Sequence, residues 1–149
     1  MGKVKIKLLV ADDSDADVFL FKRALARTDA SFELHFVADG QEAIDYLQGS
    51  GEFSDRKRHP LPSIVLLDLK MPRLNGFDVL KWIRSQAKLY ATPVLILSGS
   101  SEDRDIDRAY SLGASSYFVK PSDPRVLEEL FRVLQAYWCS FNVLPHLAN

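Results

Sequence analysis

At 149 residues, with 47% hydrophobic and 26% charged residues, the chain has the size and composition of one globular domain with a core of its own. A formal net charge of −1 gives no general attraction to nucleic acid or a membrane surface, and no apolar run approaches the ~20 residues needed to span a bilayer. A single cysteine, Cys139, excludes an intrachain disulfide, and the charged start MGKVKIKLLVADD lacks the apolar stretch of a signal peptide, so the expected compartment is the cytoplasm.

Ile6, Leu8, Leu9, Val10 and Ala11 predict a first strand that ends in Asp12-Asp13. Ser14 is placed to cap a helix whose apolar positions are Val18, Phe19, Phe21, Ala24 and Leu25, with Asp15 and Asp17 at its positive end. Phe32, Leu34 and Phe36 alternate with Glu33 and His35, as in an edge strand with one wetter face. Asp39-Gly40 makes a turn, and Ala43, Ile44 and Leu47 mark a short helix. The polar stretch from Gly49 to Pro62 predicts a long solvated loop, with contact to an anion as the second reading for its run Arg56-Lys57-Arg58-His59.

Ile64-Val65-Leu66-Leu67 is an unbroken branched run, the pattern of a strand covered on both faces, and it ends in Asp68. Met71-Pro72 blocks its continuation and Asn75-Gly76 turns the chain into a helix with Phe77, Val79, Leu80 and Ile83 buried. Pro93–Leu97 is a fourth strand leading to Ser98-Gly99, Asp103–Ser111 a more polar helix stopped by Gly113, and Tyr117–Val119 a fifth strand ending in Lys120-Pro121. Asp123-Pro124 starts a last helix lined by Leu127, Leu130, Phe131, Leu134 and Trp138. Five strands alternating with five helices predict an α/β fold, a doubly wound parallel sheet of order 2-1-3-4-5, flavodoxin-like.

In that order Asp12, Asp13, Asp68, Ser98 and Lys120 all stand at carboxyl ends of strands, on one rim where ligands of open α/β sheets bind. Three carboxylates at close range are unfavourable unless a proton or cation intervenes, and a hard divalent cation such as Mg2+ is the simple remedy. The chemistry this suits is phosphoryl transfer onto a carboxylate.

These residues, together with Asp68-Leu69-Lys70-Met71-Pro72 through Asn75-Gly76 and Tyr117-Phe118-Val119-Lys120-Pro121, resemble the receiver domain of two-component response regulators, over roughly Lys5 to Tyr137. The resemblance implies that Asp68 accepts a phosphoryl group from a sensor histidine kinase. It implies that Asp13, Asp68 and the backbone carbonyl of Lys70 bind Mg2+ directly, with Asp12 acting mainly through water. Ser98 would hydrogen-bond a phosphoryl oxygen, Lys120 would pair with another, and Tyr117 matches the aromatic that turns inward on activation. Family members often have a cis bond before the proline matching Pro121. Ser98 stands where threonine is more frequent, and Lys70 replaces a common asparagine. The chain would be a phosphoacceptor with self-catalysed transfer and dephosphorylation rather than an enzyme.

Two other classes compete. A receiver-fold adaptor that ignores phosphate would not need the full acidic set. A haloacid-dehalogenase-type phosphatase needs a second acid two residues after its aspartate, where Lys70 stands here. His35, His59 and His146 show no metal-ligand grouping and are expected at the surface; Cys139 is expected buried or half-buried.

Residues 1–138 are read as the receiver domain, which leaves none for an output domain, and 139–149 as a C-terminal extension. Trp138, Phe141, Leu144 and Leu147 continue the apolar series of the last helix, and one globule has little left to bury them against. The expectation is a two-fold homodimer through the last helix and tail. The basic loop and tail together resemble the stand-alone receivers of bacterial phytochrome kinases, which implies dimers and a light-regulated kinase partner.

Overall fold

The apolar runs form β1 (Ile6–Ala11), β2 (Phe32–Val37), β3 (Ile64–Leu67), β4 (Val94–Ser98) and β5 (Ser116–Val119). Between and after them come α1 (Asp15–Ala26), α2 (Gly40–Gln48), α3 (Gly76–Ser85), α4 (Asp103–Ser111) and α5 (Pro124–Gln135). This is a computed structural model, and it describes residues 5–28 and 31–146. All four strand pairings are parallel and the order is β2-β1-β3-β4-β5, the predicted topology.

Successive residues of the central strands feed opposite layers, because side chains alternate along a strand. Leu9, Val65 and Ile96 pack in one cluster with Ala43 and Leu47 of α2, Val79, Leu80 and Ile83 of α3, and Ala109 of α4. Leu8, Leu66 and Leu97 pack in the other with Phe21 and Leu25 of α1 and Leu127, Phe131 and Leu134 of α5. The helices start where polar caps occur in the sequence. Ser14 Oγ accepts from the Asp17 amide, and Asp39 from Glu42. Asn75 and Asp78 form a reciprocal capping box, and Asp123 precedes Pro124 at the start of α5.

Three expectations are corrected. Phe19 is 64% exposed rather than inward. On a helix of 3.6 residues per turn it lies about 200° from Phe21, and the stripe through Phe21, Ala24 and Leu25 is the one that meets the sheet. The loop after α2 is not merely solvated. Lys57 and Arg58 are exposed, but the Arg56 guanidinium donates to the carbonyls of Tyr46 (2.7 Å), Leu47 (2.9 Å) and His59 (3.2 Å). It thereby serves carbonyls of the last turn of α2, adding to the Gly49 amide that Tyr46 already accepts from. His59 is half-buried, its ring 5.1 Å from that of Phe53 and 5.8 Å from that of Tyr46, and His35 is half-buried beside Glu33; only His146 is exposed.

The tail folds back in part. After α5 the chain continues through a π-helical turn, Ala136–Phe141, which buries Trp138 in the α1–α5 core; half-buried Cys139 and Leu144 pack against the same cluster. Phe141 and Val143 stay 80% and 89% exposed, and Leu147 lies outside the described residues. No cis peptide bond occurs among the described residues, so the Lys120–Pro121 bond is trans. No described helix is long and apolar enough to cross a membrane.

The loop also covers Tyr46, whose hydroxyl donates to the Pro60 carbonyl at 2.9 Å. Burial pushes its pKa up from 10.0 to about 12. An acid whose folded value exceeds its unfolded value keeps its proton longer when folded, so stability declines as pH rises through this window. In an alkaline absorbance titration of the folded protein, Tyr46 should ionise about two pH units after a free phenol, and Tyr46→Phe should delete that late step. Ionisation of all tyrosines near pH 10 with the fold intact would contradict this.

Candidate functional site

The parallel register assembles the site. Ala11 of β1 pairs with Leu67 of β3, so the next residues, Asp12 and Asp68, emerge side by side, and the Asp68 amide donates to the Ala11 carbonyl at 3.0 Å. Ser98 of β4 pairs with Val119 of β5, and the Lys120 amide donates to the Ser98 carbonyl at 2.7 Å. Both carboxylates are buried, Asp12 to 3% exposure and Asp68 to 8%.

Lys120 reaches across the rim into them. Its ammonium lies 3.0 Å from Asp12 Oδ2, 3.0 Å from Asp68 Oδ2 and 2.7 Å from Asp17 Oδ2. An ammonium has three N–H donors, and all three are used. The other oxygen of each buried carboxylate takes a backbone amide: Asp12 Oδ1 from Ser14 at 2.9 Å, and Asp68 Oδ1 from Lys70 at 3.3 Å. Both acids are thus held in one orientation by a cation on one oxygen and an amide on the other.

Burial pushes the Asp12 carboxyl up from 3.8 to about 6, against the lowering effect of the Ser14 amide and of Lys120. For Lys120, burial alone would push the value down, but its bonds to Asp17 and Asp12 and the charge of Asp68 hold it above an ordinary lysine. The cation gains from three anions at once, whereas each anion gains only a share of one cation. Four charged groups with a formal net charge of −2 therefore remain short of positive charge.

Gly76 fixes the position of Asp68 from behind. A Cβ there would collide with the Asp68 carbonyl oxygen, so glycine lets the first turn of α3 lie against the strand end. On the other side, Ser98 is buried and its Oγ accepts from the Ser100 amide at 3.2 Å. Ser100 Oγ donates to Asp105 of α4 at 2.6 Å, and the half-buried Tyr117 donates its hydroxyl to the Ser100 carbonyl at 2.8 Å. Ser98 and Tyr117 are thus linked through one residue.

Of the residues singled out in the sequence, Asp12, Asp68 and Lys120 meet directly, and Ser98 and Tyr117 stand beside them on the same rim. Lys70 presents its backbone to Asp68 and its side chain to solvent. Asp13, which follows Asp12 just past the end of β1, is exposed. Among the described residues, the carboxylates whose oxygens lie within 4.8 Å of one another are Asp12, Asp17 and Asp68. Asp17 and Ser100 were not singled out as site residues. Asp17 was readable as an acid in the first turn of a helix that starts at the rim; nothing in the sequence marks Ser100.

The donor set suits a hard divalent cation. It consists of carboxylate oxygens on one rim, short of positive charge, with one acid whose ionisation is penalised until a cation arrives.

A family profile described as the response regulator receiver domain matches residues 8–132. The probable methanogenesis regulatory protein FilR2 of Methanothrix harundinacea is 34% identical over 141 residues, covering 93% of this chain and 86% of its own. The structure of response regulator RPA3017 "in red light signaling of R. palustris" is 38% identical with a TM-score of 0.89, covering 95% of this chain and 99% of that one. The phosphorylated cyanobacterial phytochrome response regulator RcpA is 32% identical with a TM-score of 0.87 and the same coverage.

Because the folded pKa of Asp12 exceeds its unfolded value, its ionisation costs the fold stability as pH rises from about 4 to 6, and the whole cost applies at neutral pH. In chelator at pH 7, Asp12→Asn should therefore stabilise the protein by about 1–3 kcal/mol, read as a higher denaturant midpoint. Adding Mg2+ should narrow that gap by stabilising the wild type more. A less stable variant in chelator would refute this account of the charge.

Proposed function

This chain belongs to the response regulator receiver family, the phosphoacceptors of two-component signalling, and on that premise we propose that Asp68 takes a phosphoryl group from the phosphohistidine of a sensor histidine kinase. The observation that carries the reading is the Lys120 ammonium, held 3.0 Å from a buried carboxylate that has a backbone amide on its other oxygen. An Asp68 oxygen attacks phosphorus, and the bond from phosphorus to the kinase nitrogen breaks. The electron pair goes to the imidazole, leaving an acyl phosphate on Asp68. Lys120 pairs with one phosphoryl oxygen and Ser98 bonds another.

Receivers of this family bind a divalent metal at the acidic rim, and here we take it to be Mg2+. Asp13, Asp68 and the Lys70 carbonyl would hold it, with Asp12 through water. When bound it supplies neutralisation of the charge that phosphoryl transfer concentrates at the rim.

The consequence is a switch rather than turnover of a substrate. Moving a two-state equilibrium from 1:99 to 99:1 takes about 5.5 kcal/mol. Hydrogen bonds to charged groups contribute about 1.5–3 kcal/mol each, so two or three new ones at Ser98, Lys120 and the backbone near Gly99 are enough. Tyr117, tied to Ser100, carries the change outward. Signalling then proceeds by docking or by passing the phosphate on, in the cytoplasm.

The kinase partner is a phytochrome-type sensor, a reading supported by the likeness to RPA3017 and RcpA along nearly the full chain. The protein pairs with a second copy through α5 and the tail. Val126, Val133 and Tyr137 face outward there, with Phe141 and Val143 beyond. Exposed apolar side chains along one helix and the segment after it suit a self-complementary interface.

Incubation with acetyl phosphate or a phosphorylated phytochrome kinase should add one phosphoryl group, detected by intact mass, that requires Mg2+ and is absent in Asp68→Asn. An adduct that survives this substitution would assign the chemistry elsewhere. By light scattering at rising concentration the protein should reach twice the monomer mass, with Phe141→Glu shifting it to monomer; a constant monomer mass would remove the dimer.

A further inference from the structure

We infer that Asp17 is a positioning residue: its carboxylate holds the Lys120 ammonium at the acceptor and ties that ammonium to α1. This deepens the reading of Asp68 as phosphoacceptor and rests on it. The bond is the shortest of the three that Lys120 makes, at 2.7 Å against 3.0 Å for each of the others. It is also the one with a different origin. Asp12, Asp68 and Lys120 all leave strand ends, whereas Asp17 rides on the first turn of α1, with its own amide fixed by the Ser14 cap at 3.2 Å.

The geometry gives Asp17 a task that Asp12 and Asp68 cannot perform. A lysine stem has four rotatable bonds, so an ammonium has to be anchored to stay in one place. Asp68 cannot be the anchor, because its oxygen is the one that attacks phosphorus and is then consumed in the acyl phosphate. Asp12 offers only a partial one, since it leaves the same strand-end rim, its other oxygen is taken by the Ser14 amide, and a metal at the rim would draw on the same carboxylate. Asp17 is half-exposed, with its side chain 29% accessible against 2% for Asp12, and it stands on α1 outside the pair of strand-end acids. With Asp17 in place, Lys120 stays beside the acceptor while the other two carboxylates change role.

Two explanations of Asp17 predict opposite results. If its charge merely repels the anionic donor, Asp17→Asn and Asp17→Ala should both speed phosphorylation, and equally. If it positions Lys120, Asp17→Ala should slow phosphorylation of Asp68 by acetyl phosphate at saturating Mg2+ about fivefold. Asp17→Asn, which keeps an oxygen acceptor, should fall between that variant and wild type.

The decisive comparison uses Lys120→Met. Since Asp17 acts through Lys120, Asp17→Ala should have no further effect on the phosphorylation rate in that background. The same cycle on denaturant midpoints, in chelator and without donor, should show the two substitutions to be non-additive. Equal slowing by Asp17→Ala with and without Lys120, additive midpoints, or faster phosphorylation in both Asp17 variants would overturn the proposal. A wild type that takes up no phosphoryl group, with the midpoint cycle still non-additive, would retain the Asp17–Lys120 coupling and refute the reading of Asp68.

Discussion

One ammonium among three carboxylates governs the architecture of the rim. Parallel pairing forces β1 and β3 to deliver Asp12 and Asp68 side by side, and two buried like charges at that distance oppose the pairing that puts them there. Lys120 offsets the conflict from β5, two strands away from β3, and can do so only because β4 lies between them and holds the Lys120 backbone through the Ser98 carbonyl. Sheet order, register and charge balance are therefore one constraint seen three ways.

The balance is incomplete, and it is compensated elsewhere in the fold. Three anions share one cation, and burial raises Asp12 despite the ion pair. A fold tolerates such a deficit when its core is continuous on both faces of the sheet, as this one is. It is also held by fixed polar clamps away from the rim. Arg56 closes the end of α2, and half-buried Arg84 bonds the carbonyls of Thr92 and Gly113, joining α3 to the segments that enter β4 and β5. Buried carboxylates at the rim and half-buried arginines away from it contrast: the first share too little positive charge, and the second each satisfy two or more carbonyls.

How much could be read from the sequence divides along physical lines. Strands covered on both faces produce unbroken apolar runs, so Ile64–Leu67 announced itself, and the residue after each run had to stand on the rim. That is why Asp12, Asp68, Ser98 and Lys120 were legible. Asp17 was not, because an acid in the first turn of a helix is ordinary for electrostatic reasons alone, and only the reach of a lysine 103 positions later gives it a second meaning. Phe19 misled because apolar spacing narrows a helix face to a sector without saying which edge of the sector meets the sheet. Arg56 was hidden among surface charges, since nothing in a run of basic residues says which one turns back to a helix end. Trp138 was read into the last helical stripe but also among tail residues with little to pack against; its burial and the return of Leu144 depend on space left by α1 and α5, a property of the packed molecule.

Gly76 gives the rim a mechanical asymmetry. With α3 pressed against the backbone of Asp68, that residue has a close backbone contact on one side. On the side of β4 the position at Gly99 is open, with no atom beyond its chain neighbours Ser98 and Ser100 within 4 Å of where a Cβ would stand. The rim around Asp68 is therefore braced on the α3 side and has room on the β4 side. Stiffness at the rim is thus unequal: a tight backbone contact on the α3 side, and open space toward Ser98, Ser100 and α4.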